Sequence, residues 1–302
     1  MKKIKTIIII LIAGFLIWYL FIKPQDYVVT FEVKTTAGTI NQSLKRWNKS
    51  LKNTTAISQD ALNELNQEFN FNDSIHLYKW NISVLNDSTS KVKVAIKDLN
   101  NSLRNRISIP FSTSDFEKRT KKNVTSFVEV LKDHLKNISI TIEGERETKS
   151  TYSAYVSIKS LQLEKAQGMM QNYNYLNTVL TKHNVQLNGT PFIEVTKWNL
   201  KNDSIAYNFC FPIIKSDSLP QYKAINYKQY HSTKALKAIY NGNYITSDRA
   251  WYSLLEYAKK ENIAVEETPV EVFYNNPNYG GNELRWKAEI FMPIKGNQHP
   301  KK

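Results

Sequence analysis

The second half of this chain is written twice. Thr190-Pro191-Phe192-Ile193-Glu194-Val195 returns as Thr268-Pro269-Val270-Glu271-Val272-Phe273. Each copy runs on to a strand-like segment closed by Pro-Ile: Phe209-Cys210-Phe211-Pro212-Ile213 in the first, Ile290-Phe291-Met292-Pro293-Ile294 in the second. Each is preceded by a helical pattern, and the two patterns align at one constant offset. Leu176 matches Leu254, Asn184 matches Asn262, Val185 matches Ile263 and Leu187 matches Val265. Two copies are too few for a solenoid, so the duplication predicts one pseudo-symmetric domain with a cleft between its halves.

A chain of 302 residues has room for that domain, a second one and an anchor. The anchor is the uncharged run from Ile7 to Ile22, closed by Lys23-Pro24. Its 16 residues rise about 24 Å as a helix; Ile4 to Thr6 and a snorkelling Lys5 extend it to membrane thickness. Trp18 and Tyr19 sit at the outer end, where aromatic belts lie. A cleaved signal peptide would carry a shorter apolar region and a small-residue cleavage site, and nothing like Ala-x-Ala follows here. The lysines before the run predict a cytoplasmic N-terminus, a single pass through a bacterial inner membrane, and everything after Lys23 on the extracytoplasmic, periplasmic side.

Composition excludes several classes. The single cysteine, Cys210, rules out an internal disulfide and reads as a small buried hydrophobe in an alternating apolar strand. Of the formal charge of +14, four units (Lys2, Lys3, Lys5 and Lys23) flank the apolar run; the other ten are scattered through Asn-rich loops. No reading element accompanies them, so no nucleic-acid partner is expected. There is no phosphate loop, no His-Glu-x-x-His and no Gly-x-Ser-x-Gly, and the five histidines are isolated in sequence. No cofactor and no metal site are expected.

Between the anchor and the duplication, Tyr27, Val29, Phe31 and Val33 alternate as a strand. Ile40, Leu44, Trp47 and Leu51 follow at helical spacing. His76 to Val84 and Val92 to Ile96 alternate again about a turn at Asn86-Asp87-Ser88. A long helix starts near Ser114, an N-cap candidate with Glu117 three residues on, and carries Val124, Phe127, Leu131 and Leu135 on one face. This order of elements, over residues 26–136, resembles the START-like helix-grip architecture. Trp47, Tyr78 and Trp80 then either line a ligand cavity or form a plain aromatic core.

Residues 137–296 carry a lead-in strand (Ile138, Ile140, Ile142) and two β-α-β-β units. The telling pieces are Gly242-x-Tyr244 before a helix capped by Ser247-Asp248, the segment Glu271-Val272-Phe273-Tyr274-Asn275-Asn276-Pro277, and the closing Ala288-Glu289-Ile290-Phe291-Met292-Pro293-Ile294. They resemble the GyrI-like domain, also known as the AraC-type effector-binding domain. The resemblance implies an α+β fold in which two β-α-β-β units enclose a cleft for small, often hydrophobic molecules, with a buried acid in the last strand at Glu289. No helix-turn-helix precedes the duplication, so the transcription-factor role of many family members is not expected. Where the family commonly has tyrosine the sequence reads Phe273, with Tyr274 displaced by one; that removes a hydroxyl from the implied site and argues against catalysis.

Strand alternation assigns faces independently. Leu284, Trp286, Ala288, Ile290 and Met292 share a helix-packed face, and Arg285, Lys287, Glu289 and Phe291 share the other. Aligning the Pro-Ile ends sets Asn208 at the position of Glu289 in the first copy. The expected ligand site is therefore Glu289, Asn208, Phe273 and Phe291, walled by Tyr244 and Trp251, with no catalytic residue. An acid among aromatics favours a small hydrophobic or cationic ligand. The full expectation is an N-terminal transmembrane anchor (1–25), a START-like α+β domain (26–136), a GyrI-like effector-binding domain (137–296) and a tail (297–302). Its function is small-molecule binding outside the cytoplasm. A hydrolase using Glu289 as general base is one alternative, and a structural or partner-binding envelope protein is another.

Overall fold

The computed structural model describes residues 2–86 and 89–296 as a mixed α+β chain with an N-terminal apolar helix and two antiparallel sheets. The expected tail 297–302, and Asp87 and Ser88 of the expected turn, lie outside the described residues. The chain forms two compact units, Met1–Lys132 and Asp133–Lys302.

The first unit opens with α1 (Lys2–Ile17), which continues into a π-helical turn, Trp18–Ile22. Lys3–Ile22 has a mean hydropathy of 2.4 and buries nothing, so it is long and apolar enough to cross a membrane. After β1 (Tyr27–Val33), the hydroxyl of Thr36 accepts from Thr39 N and starts α2 (Ala37–Lys49). Then come β2 (Ser58–Ala61), β3 (Glu64–Asn70), β4 (Ile75–Asn86), β5 (Thr89–Asp98), α3 (Ser102–Ser108) and α4 (Asp115–Lys136). The strands lie in the order β1-β5-β4-β3-β2. Ser114 accepts from Glu117 N at 3.1 Å and caps α4. The interior is filled by rings. Phe127 of α4 meets Trp47 at 5.6 Å and Trp80 at 5.2 Å, and Phe69 meets Tyr78 at 4.6 Å. Trp47, Tyr78 and Trp80 thus pack as an aromatic core.

The second unit is one eight-stranded sheet: β6 (Ser139–Glu147), β7 (Thr151–Leu161), β8 (Phe192–Asn199), β9 (Ser204–Pro212), β10 (Asn226–Tyr230), β11 (Lys234–Asn241), β12 (Val270–Phe273) and β13 (Lys287–Pro293). Helices α5 (Lys165–Lys182) and α6 (Arg249–Lys260) lie within the two repeats. The order is β10-β7-β9-β8-β12-β13-β11-β6. The two copies therefore meet at the β8–β12 seam, each contributing a strand, a helix and an antiparallel strand pair. Matched sequence gives matched backbone. Both helices end on an asparagine in the left-handed region, Asn184 (φ 52) and Asn262 (φ 55). Val185 N then bonds Leu180 O at 2.9 Å as Ile263 N bonds Ala258 O at 2.8 Å. Downstream, Asn188 N bonds Pro212 O and Glu266 N bonds Pro293 O, both at 2.8 Å.

Connectivity forces this sheet to curl. β6 leads directly into β7 through residues 148–150, yet the two strands stand six places apart. In a flat sheet that is nearly 30 Å at about 4.8 Å per strand, whereas the link spans at most about 14 Å. β10 and β11 pose the same problem with residues 231–233. The curl brings both links together: Thr148 N bonds Thr233 O at 2.9 Å, and Thr233 N bonds Thr148 Oγ1 at 2.9 Å.

On the helix-covered face, a wholly buried polar network ties the repeats. Lys165 Nζ, at the start of α5, donates to both oxygens of Glu271 on β12 at 2.8 Å and to Ser247 Oγ at 2.8 Å. Ser247 Oγ donates to Glu271 Oε2 at 2.7 Å. Gln162 bridges beside them. Its amide donates to Asp248 Oδ2 at 2.5 Å and its carbonyl accepts from Trp198 Nε1 at 3.0 Å and Tyr252 OH at 3.1 Å. Lys165 and Glu271 are fully buried, and burial pushes the Glu271 carboxyl up against the opposing pull of Lys165 and Ser247. Removing one partner strands the other charge. Glu271→Leu is therefore expected to cost about 3–5 kcal/mol, read as a lowered urea midpoint, while Lys165→Met with Glu271→Leu recovers most of it. A double variant no more stable than the single one shows that the charges are not coupled.

Candidate functional site

The curled sheet encloses a groove of about 1320 Å³ on the face opposite the helices. Its floor is the β8–β12 seam and the strands beside it. Its rim is formed by the two crossing links, residues 146–151 and 228–233. Register places the floor residues in two rows. One runs Asn208–Glu194–Val270–Phe291 across β9, β8, β12 and β13; the next runs Cys210–Phe192–Val272–Glu289.

Each row carries one acid, and each acid is clamped. Glu289 accepts from Lys237 Nζ at 2.9 Å, from Lys287 Nζ at 2.8 Å and from the Tyr274 hydroxyl at 2.8 Å. Glu194 accepts from Lys228 Nζ at 2.8 Å and from Asn208 Nδ2 at 2.8 Å. Asn208 is itself held by Ser157, whose hydroxyl donates to Oδ1 at 2.7 Å. Every clamping lysine also stands over a ring. Lys237 lies 5.6 Å from the centre of Phe291, Lys287 4.8 Å from Tyr274, and Lys228 4.5 Å from Tyr230. Phe192 packs edge-on against Tyr230 at 5.1 Å and completes the aromatic lining.

Charge follows from these contacts. Burial alone would raise the Glu289 carboxyl, but the hydrogen bonds from Lys287, Lys237 and Tyr274 outweigh it and hold it at about 2. Burial and the adjacent carboxylate push the Tyr274 phenol up to about 12. Burial pushes the Cys210 thiol up, so the lone cysteine is a poor nucleophile. Among the described residues, no group of three His, Cys, Asp or Glu side chains is arranged to hold a metal ion.

The residues singled out by sequence divide between the two faces. Glu289 and Phe291 line the groove, and Asn208 supports Glu194 within it. Phe273 points the other way and packs on Tyr244 at 4.9 Å; Tyr244 spends its hydroxyl on Lys287 O at 2.7 Å. Trp251 is fully buried beside Trp198 and under Lys165. The pleat explains this: Val270 and Val272 face the groove, so Tyr274 does too and Phe273 does not. The expected loss of a hydroxyl at Phe273 is thereby corrected, because Tyr274 supplies one directly to Glu289. Glu194 went unread. Its signal is the register with Asn208, which turns the expected neutral amide into an amide-held carboxylate.

Comparison with known proteins finds no matching family model and no matching curated protein. Among solved structures, the chain is similar to the EcmrR C-terminal domain at 13% identity, covering 52% of this chain and 98% of that one, with a TM-score of 0.43. It is similar to EcmrR in a DNA complex at 14% identity, over 63% of this chain and 70% of that one, with a TM-score of 0.44. SAV2435 bound to tetraphenylphosphonium is similar at 13% identity, over 52% and 94%, with a TM-score of 0.36.

The clamp on Glu289 has a measurable consequence. Its folded pKa is depressed from 4.5 to about 2, so the carboxylate contributes stability above pH 4.5 that is lost as pH falls toward 2. Carboxyl NMR is expected to show Glu289 titrating near pH 2 in the wild type and moving up toward the ordinary glutamate range in Lys237→Met. An unchanged midpoint in that variant removes Lys237 from the clamp.

Proposed function

We propose that this protein binds a small organic ligand in the groove of its second unit, and that the apolar N-terminal helix anchors it in a membrane with both units outside the cytoplasm. In this reading residues 1–25 are the anchor, 26–136 a first domain and 137–296 the ligand-binding domain. One observation carries the binding role: an aromatic-lined groove into which two clamped carboxylates and three lysines converge. A cavity of this size accommodates a drug-sized molecule, with Phe192, Tyr230, Tyr274 and Phe291 for apolar contact and a largely polar rim for orientation.

The ligand class follows from what already occupies the polar positions. Each lysine ammonium lies over an aromatic ring beside a carboxylate, the arrangement that stabilises an organic ammonium or other lipophilic cation. The groove is thus occupied by its own cations, and a cationic amphiphile enters by exchange for one of them. A neutral hydrophobic ligand fills the aromatic part without disturbing the clamps. General-base hydrolysis gains no support, since a carboxylate held at about 2 is badly matched to proton abstraction near neutral pH.

Calorimetric titration of the detergent-solubilised chain tests this, with tetraphenylphosphonium as the cation and a neutral arylphosphine oxide as the control. Glu289→Gln is expected to weaken the cation and spare the neutral compound. Lys237→Met is expected to strengthen the cation by roughly tenfold, since the displaced ammonium forfeits one ring contact and two partly exposed ion pairs, to Glu289 and Glu143, together about 1–2 kcal/mol. Absence of binding by either compound overturns the small-molecule role. Equal cation binding by wild type and Glu289→Gln removes the carboxylate and leaves an apolar groove. A reporter fused after Lys302 is expected on the extracytoplasmic side, and its appearance in the cytoplasm overturns the topology.

A further inference from the structure

The first unit exposes an apolar stripe for which its own fold has no use. Leu99, Leu103, Ile107 and Phe111 follow one another at intervals of four, through α3 and past its end, and are 49, 44, 52 and 88% exposed. Leu103 and Ile107 share one face of α3 by this spacing, while Leu99 lies in the turn before the helix and Phe111 in the turn after it. The opposite face of α3 is polar and buried: Asn105 donates to Asp98 Oδ2 at 2.9 Å, and Arg106 donates to Asp26 Oδ1 at 2.6 Å. The helix is therefore turned with its polar side inward and its apolar side out, the reverse of a soluble surface helix.

Arg106 shows what lies beyond that face. Besides Asp26, its guanidinium donates to Leu20 O at 3.0 Å, to Tyr19 O at 3.4 Å and to Lys23 O at 2.6 Å. These are carbonyls at the end of the apolar helix, which have no partner within it. Asp26 is fixed in turn by the Ser102 hydroxyl at 2.6 Å and by Asp98 N at 2.9 Å. So α3 is tied side by side to the last turn of the Lys3–Ile22 span, at a depth set by Tyr19 and Leu20. Trp18 and Tyr19, whose rings cluster with Phe15, mark the same level.

We propose that α3 and the segment to Phe111 form a second membrane contact. They lie in the interface on the outer side of the bilayer, with Leu103, Ile107 and Phe111 inserted among the lipids beside the anchor. The occupant of the stripe is the bilayer itself, because a helix bonded to the end of a membrane span cannot hold its outward face far from the lipid surface. Interfacial helices bury such faces about 5–10 Å into the headgroup region, the depth that attachment at Tyr19 and Leu20 provides. Exposed Arg104 stands on the same helix, where lipid phosphates accept its charge. The contact fixes the tilt of the first unit on the membrane, where a flexible link after the anchor leaves it free.

This rests on the membrane-anchor reading, and the test separates the two. Nitroxide labels are placed on single cysteines in the full chain reconstituted in phosphatidylcholine–phosphatidylglycerol nanodiscs: Phe111→Cys and Ile107→Cys in the stripe, Phe15→Cys in the span and Lys52→Cys in an exposed loop. Native Cys210 is wholly buried and does not take the label. Accessibility to oxygen against an aqueous nickel chelate then reports depth. Labels at 107 and 111 are expected to shift toward oxygen with the label at 15, while the label at 52 favours the chelate. Stripe labels that behave like the label at 52 overturn the interfacial contact. If the label at 15 is also aqueous, the anchor reading has failed and the proposal falls with it. All four sites are exposed, and thermal unfolding of each labelled chain at the wild-type temperature confirms the fold.

Discussion

The ion pair between Lys165 and Glu271 holds the second unit together across its own symmetry. Glu271 stands on β12 directly opposite Ile193 of β8, at the seam where the repeats meet. In the first copy the aligned position is apolar, so the duplication cannot be symmetric there. A charged side chain at that point is tolerable only because Lys165 and Ser247 arrive from the starts of the two helices to meet it. A pair of this kind adds little net stability over apolar packing, but it penalises any arrangement in which the repeats slip. The pairing of groove residues across the β8–β12 seam, Glu194 with Val270 and Phe192 with Val272, depends on that register.

One residue of register separates this structural acid from the acids of the groove. Glu194 and Glu271 occupy neighbouring positions in the repeated hexapeptide, fifth in one copy and fourth in the other. Because strand side chains alternate, that single step sends Glu271 to the helix face and Glu194 to the groove. The same parity sends Tyr274 inward and Phe273 outward. Two repeats of nearly the same text thus give a buried charge lock on one face and an amide-held carboxylate on the other.

Legibility in the sequence followed the reach of each interaction. The duplication, the helix-terminal asparagines, the Pro-Ile closures and the alternation from Trp286 to Met292 are local patterns, and the structure follows them; Leu284 and Arg285, expected in the same strand, lie instead in a 3₁₀ turn before it. The long helix after Ser114 was legible for the same reason: its cap and its apolar face both lie within the segment. β2 and β3 were not legible. Ser58–Ala61 is polar, and the inward positions of β3 are Leu65, Gln67 and Phe69, so a buried glutamine breaks the alternation. Only tertiary contacts license it, since Gln67 donates to Asn48 Oδ1 at 2.7 Å and accepts from Trp80 Nε1 at 3.0 Å. Glu194 and Lys165 were missed on similar grounds, because their partners are distant in sequence and are found only through register.

Under the proposed binding role, the clamped acids give a basic protein a local means of holding a cationic ligand. Beyond the anchor flanks the chain carries ten excess positive charges, which repel a cation from afar, although salt screens that field beyond about 8 Å. Within the groove the relevant comparison is local. An incoming ammonium that displaces a lysine exchanges one ring contact and one ion pair for another of the same kind, while the freed lysine regains water. The electrostatic terms nearly cancel, leaving the apolar area of the ligand as the main source of affinity at about 25 cal/mol per Å² buried. In the proposed role such a groove would discriminate by shape and hydrophobicity more than by charge, which suits the recognition of a class of amphiphiles better than the recognition of one polar metabolite.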